Sequence, residues 1–243
     1  MRFLTVLLFL LTASNSHADI ALDLSTSYET SVPSSTTCGG SHLAAASGVT
    51  LALMWVGMDA DETISSITYG GDTMTLVTTS GSASHPGDEK MHLYMKADPK
   101  QGTQTGTTTV SSDDHVGCVI QTFTGTLTTA GAVVQSAGYD NSGAECATAL
   151  VALTLASTAN WMVSGSVWHG ANNTPITTFT NCTSTEDGST GPSSESDDAY
   201  NTCDSTGDSG SLTHTIDAPT TDECAMVSAE LAAASSRRIF LVQ

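Results

Sequence analysis

The stretch VTLALMWVGM at residues 49–58 decides the fold class, because it is apolar at nearly every position. A strand with one wet face alternates apolar and polar residues, so a run without alternation predicts a strand buried on both faces of its sheet. Short runs rich in Thr, Val, Ile and aromatic residues recur along the chain between turns of Gly, Asp, Asn and Ser. That spacing is typical of an antiparallel β-sandwich or barrel.

Further strands are predicted on both sides of this run. Residues 64–69 (ISSITY) end at Gly70-Gly71-Asp72, and residues 74–77 resume the apolar pattern, which predicts a β-hairpin. Segments 43–46 and 229–234 favour helix but lack an apolar stripe, so we expect less than about a tenth of the chain in helix. The other predicted strands are 91–96, 106–111, 116–123, 132–139, 147–155, 161–168, 176–182, 212–216 and 224–231.

Residues 1–18 have the composition of a secretory signal peptide. Arg2 supplies a positive charge, residues 3–13 are an apolar run, and Ser16 and Ala18 are the small residues that precede cleavage, here before Asp19. A membrane anchor is the alternative, but this run spans only about 17 Å of a hydrocarbon core of about 30 Å. We therefore expect a secreted or extracellular surface protein with no membrane span. No linker divides residues 19–243, which predicts a single β-sandwich domain.

The charge of the chain limits its partners. Six Lys and Arg residues stand against 25 Asp and Glu, a net charge of −19; loss of Arg2 with the leader leaves 5 against 25, or −20. Such a chain repels nucleic acid and anionic lipid. The partners expected are therefore cations, neutral glycans or basic protein surfaces. The alternative is that the charge serves only solubility.

Six cysteines follow the predicted cleavage site, at positions 38, 118, 146, 182, 203 and 224. An even number in an exported chain predicts disulfides. We expect Cys182 to pair with Cys203, because they bracket a polar segment that has little apolar surface to hold it down. Closing such a loop is worth about 3 kcal/mol in the chain-entropy model. The chain has no CxxC pair to favour zinc instead.

Residues 183–210 are rich in acidic, Ser, Thr and Gly residues and contain one aromatic residue, Tyr200. We expect a long exposed acidic loop, tied by the disulfide and with room for one irregular hairpin. A loop of this length in a compact domain is usually functional or disordered.

Two groups of residues are candidates for a ligand site. Asp59, Asp61 and Glu62 follow the buried strand, and clustered carboxylates suit Ca²⁺ as a cofactor; the alternative, which the unspecific spacing favours, is that they are solvated turn acids. The acidic loop is the second choice for calcium.

Trp168 is the second candidate, since it ends a predicted strand and is followed by His169, Asn172 and Asn173. An aromatic ring beside amides at a loop mouth is typical of a sugar site. A partly buried rim tryptophan is the alternative.

Residues 207–210 (GDSG) match the sequence around the nucleophile of trypsin-like proteases, but Gly-Pro does not follow. A serine needs a histidine base within hydrogen-bond reach, and no histidine lies in a recognisable context for that role. We expect no catalytic residue and no enzyme. The alternative is a secreted hydrolase whose residues are too dispersed to form a motif.

Several core motifs together resemble a group of poorly characterised secreted bacterial and phage-associated β-sandwich proteins with an (I/V)xSVTYGG hairpin. The matching segments are LALMWVG (51–57), ISSITYGG (64–71), MTLV (74–77), MHLY (91–94), FTG (123–125) and WMVSGS (161–166). The resemblance covers about residues 49–231 and implies the fold without any catalytic residue. The cysteines and the acidic segment are not part of that pattern.

Together these patterns predict an all-β, antiparallel two-sheet sandwich of jelly-roll or immunoglobulin-like type. The function expected is non-enzymatic binding or assembly: an adhesin-like, carbohydrate-binding or fibre-forming module that meets a glycan or protein at a cell or particle surface. Residues 237–243 (RRIFLVQ) are basic and apolar. They could form a homo-oligomer by adding as a strand to a neighbouring subunit, or fold back as the last strand of their own sheet.

Overall fold

The computed structural model describes residues 16–29, 36–59, 62–80, 89–111, 116–140, 146–168, 178–189, 199–206, 211–222 and 224–236. Its strands pair antiparallel throughout these ranges, and the one helical element there is a 3-10 turn at Ala130–Ala132. The prediction of an all-β protein is confirmed. Most of the predicted leader and the predicted C-terminal strand, 237–243, lie outside the described residues.

The first half of the chain builds two sheets. Its strands are β1 (Ser16–His17), β2 (Ala21–Glu29), β3 (Thr37–Leu43), β4 (Val49–Asp59), β5 (Ile64–Tyr69), β6 (Asp72–Thr73), β7 (Thr75–Ser80), β8 (Glu89–Ala97), β9 (Thr103–Val110) and β10 (Val116–Thr124). Sheet I has the order β3-β9-β5-β6, and sheet II has the order β2-β10-β4-β8-β7.

The second half builds two more sheets. Its strands are β11 (Val133–Asp140), β12 (Cys146–Thr154), β13 (Trp161–Trp168), β14 (Thr178–Thr180), β15 (Thr183–Ser189), β16 (Ala199–Thr206), β17 (Ser211–Asp222), β18 (Cys224–Leu231) and β19 (Ser235–Ser236). Sheet III has the order β11-β18-β13-β16-β15, and sheet IV has the order β12-β17-β14. The short β19 pairs with β1, which joins the two ends of the described chain.

The two halves have the same topology. In each half the final long strand lies between two earlier ones, β10 between β2 and β4 and β18 between β11 and β13. The smaller sheets correspond as well, since β3-β9-β5 matches β12-β17-β14. Successive strands alternate between two sheets except at the hairpins β5–β6, β7–β8 and β15–β16, an arrangement close to that of a jelly roll. The predicted sandwich is therefore present, and the chain builds it twice.

Three buried apolar clusters stack the sheets in the order I, II, III, IV. On β4, Met54 packs in the cluster between sheets I and II, while Trp55 faces the opposite way into the cluster between sheets II and III. A third cluster, which includes Met226 of β18 and Ile216 of β17, fills the space between sheets III and IV. The prediction that 49–58 is buried on both faces is confirmed, because sheet II has a layer on each side.

The hairpin after Ile64 differs from its prediction. The turn at Gly70 and Gly71 is present, and both glycines have positive φ, which suits them to a tight turn. However, the strand that follows the turn and pairs with β5 is only the two-residue β6, while β9 pairs with the other side of β5, and β7 then crosses to sheet II and pairs with β8. The second arm of the predicted hairpin thus changes sheets.

The acidic segment is partly a hairpin at the edge of sheet III. Strands β15 and β16 pair with each other, while 190–198 and 207–210 lie outside the described residues. The Cys182–Cys203 disulfide, which links the start of β15 to the middle of β16, confirms the predicted pairing. A second disulfide, Cys38–Cys118, joins β3 of sheet I to β10 of sheet II.

Candidate functional site

A buried polar cluster surrounds His214 between sheets III and IV. Its Nδ1 lies 2.7 Å from Ser164 Oγ, and its Nε2 lies 2.7 Å from Ser205 Oγ. Ser164 Oγ is also 2.6 Å from Ser228 Oγ. Burial lowers the pKa of His214 to about 4, so the ring is neutral at neutral pH.

The chemistry open to this cluster is limited by its burial. A serine beside a neutral histidine has the donor and acceptor of a nucleophile and its base. Here, however, Ser164 and His214 are both fully buried, and the second ring nitrogen meets a serine hydroxyl instead of an orienting carboxylate. A substrate cannot reach Ser164, so the cluster stabilises the core.

The same histidine lies beside the Cys182–Cys203 disulfide. The two sulfurs and a ring nitrogen of His214 all lie within 4.8 Å of one another, a spacing that resembles a metal ligand set. Thiolate is the form of cysteine that binds metal, and the disulfide removes it from both residues. In this oxidised state the cluster holds a covalent cross-link and offers a metal the histidine alone.

The first jelly roll contains a similar buried histidine, His42 of β3. Its Nδ1 and Nε2 each lie 3.0 Å from a threonine hydroxyl, those of Thr26 and Thr122. Thr122 donates its own proton to Asp23, so it accepts from Nε2–H of His42. Burial lowers the pKa of His42 to about 4, although the charge of Asp23 raises it. This histidine also joins strands inside a sandwich.

Glu230 is the third buried polar centre. Its carboxylate accepts hydrogen bonds from Gln135 Nε2 at 2.6 Å, Asn160 Nδ2 at 2.6 Å and the backbone N–H of Ala156 at 2.7 Å. Three donors compensate the loss of solvation of a fully buried carboxylate. The residue ties β18 to β11 and to the 155–160 turn, which is a structural role.

A shallow groove with both polar and aliphatic side chains in its walls runs along β7 and β11, where the edges of sheets II and III meet. Two cavities of about 210 and 220 Å³ adjoin there and share Met95 and Ala130 in their walls. Leu76 and Val134 line the groove and are 50% and 47% exposed, which is high for large aliphatic side chains. The groove therefore presents unusual apolar surface on a strongly acidic protein.

Both strands beside the groove are sheet edges. Within the described ranges β7 pairs only with β8, and β11 pairs only with β18. Their sequences, TLVTTS and VVQSAGYD, contain no lysine or proline and one charged residue, Asp140. Charged residues and prolines are the usual devices that stop another strand from adding to an edge. These two edges are therefore suited to receive an extended polypeptide.

Of the residues predicted for a sugar-binding site, the structure describes Trp168 alone. Trp168 is fully buried in the cluster between sheets III and IV, so the expectation of a ring at a loop mouth is wrong. His169, Asn172 and Asn173 lie outside the described residues. The sequence of this strand could have predicted the burial of Trp168. Residues 161–168 are apolar or small at every position, a pattern that predicts burial on both faces.

The calcium prediction stays a prediction. Asp59 is the last residue of β4, Asp61 lies outside the described residues, and Glu62 is buried at 2% exposure. A buried Glu62 differs from the solvated turn acid that was the alternative explanation.

The protein is all-β and disulfide-linked, and it consists of two stacked jelly rolls with a groove between their sheet edges. Comparison with protein-family models, with curated proteins and with solved structures found no match for this chain. The groove and the sequence of the chain are therefore the features that bear on its function.

Proposed function

We propose that this protein is a non-enzymatic extracellular module for binding or assembly at a surface, and that it makes its contact through the groove between β7 and β11. The observation that carries the proposal is the exposure of Leu76 and Val134 at two sheet edges that contain one charged residue between them. Exposed apolar surface in such a position is typical of interaction sites. The buried histidine and glutamate clusters, in contrast, have structural roles.

A polypeptide fits this groove better than a glycan. Sugar rings bind most readily to the flat faces of aromatic side chains. The described residues that line the groove are aliphatic or small and polar, with Lys96 and Gln135 as the larger polar members. Aliphatic walls beside two open strand edges favour an extended segment that adds main-chain hydrogen bonds.

The occupant we propose is residues 237–243 of a neighbouring copy. This segment, RRIFLVQ, supplies four consecutive apolar residues, and its two arginines lessen the repulsion between acidic chains. Seven extended residues reach about 23 Å, which is enough to follow a six-residue strand such as β7.

The course of the last described residues favours a neighbouring copy over the same molecule. Ala232 donates to the carbonyl of Ala132, beside the groove, and Ala234 then donates to the carbonyl of Gly125. The chain thus leaves the groove before residue 237, and a segment bound to its own groove would have to turn back.

Light scattering on the mature chain and two matched variants tests this function. Val134→Lys places a charge in the groove, whereas Leu150→Lys changes a residue of equal exposure, 47%, on β12 of sheet IV. We expect Val134→Lys to abolish self-association and Leu150→Lys to leave it unchanged. Equal behaviour of the two variants, or a wild-type chain that is monomeric at all concentrations, would overturn the proposal.

Deletion of residues 237–243 tests the occupant. Loss of association on deletion supports the exchange of tails if the free RRIFLVQ peptide also binds the truncated chain and inhibits association of the full chain. If the truncated chain associates more strongly than the full one, the segment instead covers its own groove.

The hydrolase alternative has its own test. Hydrolysis of a peptide or glycoside substrate by the purified chain, lost in Ser209→Ala, would show the non-enzymatic proposal to be wrong. Ser209 lies outside the described residues.

The extracellular location is also part of the proposal. Disulfides are typical of exported proteins, and within the described ranges no helix is long and apolar enough to cross a membrane. Ile20, the first of the described residues that belongs to the buried core, is the second residue after the predicted cleavage site. We expect the mature protein to begin at Asp19, which N-terminal sequencing would detect; a mature chain that keeps β1 would contradict it.

A further inference from the structure

The two disulfides that the structure describes differ in their access to solvent. Cys38 and Cys118 are each 1% exposed, so both sulfurs of that bridge are inside the first jelly roll. In the other bridge Cys203 is 1% exposed, but Cys182 is only half-buried. Of these four cysteines, Cys182 is the one that a molecule in solution can approach.

The surroundings of the two sulfurs also differ. Cys182 lies in the short link between β14 and β15, next to Asn181, whose φ of 63° marks a turn. Cys203 lies in the middle of β16, which is paired on both sides by β13 and β15. Its sulfur is 3.8 Å from Nδ1 of His214, within hydrogen-bond distance for sulfur. One end of the bridge is thus on a surface turn and the other in a fixed, polar part of the core.

We propose that the Cys182–Cys203 bridge is a site of covalent modification by small thiols such as glutathione, with Cys182 as the residue that receives the adduct. The thiolate attacks Cys182 Sγ and forms a new sulfur–sulfur bond there. The bond between Cys182 and Cys203 breaks, and its electron pair leaves with Cys203 Sγ. Cys203 takes up the proton that the attacking thiol released, so no further oxidant or reductant is needed.

The direction of this exchange follows from access and from the leaving group. Attack on a disulfide requires the thiolate to approach the sulfur in line with the bond, and Cys203 is closed to that approach. After the bond opens, Cys203 remains beside the His214 ring and keeps a polar partner. The two ends of the bridge are therefore not equivalent.

Modification acts on the edge of sheet III. The bridge fixes the entry to β15, the outermost strand of that sheet. In β15, Thr185 Oγ1 accepts a hydrogen bond from Gln121 of the first jelly roll and lies 2.8 Å from Thr202 Oγ1. Opening the bridge removes the covalent link that holds β15. The position of this acidic edge strand, which lies beside β2, would then depend on whether thiols are present.

The test uses the folded mature protein with reduced glutathione, without denaturant. Acid quenching, alkylation and peptide mass spectrometry locate the products. We expect glutathione on Cys182 and an alkyl group on Cys203, formed at least about tenfold faster than any product on Cys38 or Cys118. An adduct on Cys203, or equal rates at the two bridges, would overturn the proposal.

Two single variants give the matched control. Cys203→Ser leaves the half-buried Cys182 as a free thiol, whereas Cys182→Ser leaves the buried Cys203. Both variants lose the same bridge, so any loss of stability is shared and the difference between them reports access. We expect rapid alkylation of Cys182 and slow alkylation of Cys203 by the same reagent. If Cys182 and Cys203 were alkylated at equal rates in variants whose circular dichroism spectra show that they are folded, Cys182 would not be the accessible end of the bridge. In denaturant, the two alkylation rates should become equal.

Discussion

The indole Nε1 of Trp55 donates a 2.7 Å hydrogen bond to Oε1 of Gln121 in the layer between the two jelly rolls. The amide Nε2 of Gln121 donates in turn to Thr185 at 2.8 Å and to Thr202 at 3.2 Å, both in sheet III. Gln121 is 1% exposed and Trp55 is fully buried. A single amide thus satisfies buried polar groups on both sides of the largest apolar interface.

Replacement of Gln121 by Leu should destabilise the protein. The change leaves the Trp55 N–H without its acceptor and removes the donor for Thr185, while side-chain volume stays similar. An unsatisfied buried polar group costs about 1–3 kcal/mol, so we expect the free energy of unfolding to fall by about 2 kcal/mol. Urea denaturation followed by tryptophan fluorescence measures this loss.

Gln104→Leu is the control for this change. Gln104 is half-buried, and its amide donates to the nearby carbonyl of Gln101 within the first jelly roll. We expect an effect below about 1 kcal/mol there. The apolar cluster between sheets II and III joins the two jelly rolls, so each variant should unfold in one transition. Two separate transitions would show that the jelly rolls are independent domains.

Gly165 of β13 should not tolerate a methyl group. A Cβ at this position would lie 2.4 Å from Cε3 of Trp55 and 2.8 Å from Cε of Met91. The indole is fully buried and cannot move aside cheaply. Overpacking of this kind costs about 1–3 kcal/mol, so Gly165→Ala should lower the midpoint of denaturation.

Gly131→Ala provides the comparison. The nearest atom to its added Cβ is Thr129 Oγ1 at 3.6 Å, and the residue is exposed. The stability of this variant should stay within about 0.5 kcal/mol of wild type. If Gly165→Ala were equally stable, sheets II and III could not be packed as closely as the structure has them.

The sequence was sufficient to predict the strands that carry continuous apolar runs. Strands β5, β13 and β18 begin and end at the predicted residues, and β4 is one residue longer than expected. Strands β2, β3, β15 and β16 were not assigned, because they are rich in Ser, Thr, Gly or acidic residues and show little apolar alternation. Their pairing depends on neighbours far away in the chain, which a local pattern does not contain.

The repeated topology and the groove also depend on which strands pair across long distances in the chain. Burial of 49–58 on both faces implied a layer on each side of that strand, but it did not say which sheet supplied the second layer. Trp168 was misplaced for a similar reason, since a polar sequence follows it although its own strand is covered on both faces. The Cys182–Cys203 pair was predictable because a polar segment between two cysteines has few other means of being held.

Acidification should destabilise the protein through its buried histidines. Burial lowers the pKa of both His42 and His214 to about 4, below the value of about 6.5 expected when unfolded. The unfolded chain then binds more protons between these values. The stability that the neutral rings provide is complete above about pH 6.5 and falls toward pH 4, by up to about 1.4 kcal/mol per pH unit for each histidine.

One acidic group acts in the opposite direction. Burial raises the pKa of Asp204 to about 6, so its ionisation lowers stability as the pH rises between about 4 and about 6. The net dependence still follows the histidines, since burial, together with the charge of Lys90, also lowers the pKa of His92 to about 4. Free energies of unfolding at several pH values should show a shallower slope in His42→Asn and His214→Asn than in wild type; an unchanged slope would exclude both residues as its source.

The repeated topology also predicts the third disulfide. Cys38–Cys118 joins β3 to β10, and the corresponding strands of the second half are β12 and β18. Cys146 is the first residue of β12, and Cys224, the first residue of β18, is disulfide-bonded. Cys146 and Cys224 are the two cysteines of the chain that are outside the two other bridges.

We therefore expect a Cys146–Cys224 bridge that closes a loop of about the same length as the 80-residue separation of Cys38 and Cys118. A loop of this size is worth about 4 kcal/mol in the chain-entropy model, so Cys146→Ser should lower the free energy of unfolding by roughly that amount. Non-reducing peptide mapping would find the two peptides joined. Alkylation of Cys146 in the unreduced, unfolded protein would show instead that the two jelly rolls are not cross-linked in the same way.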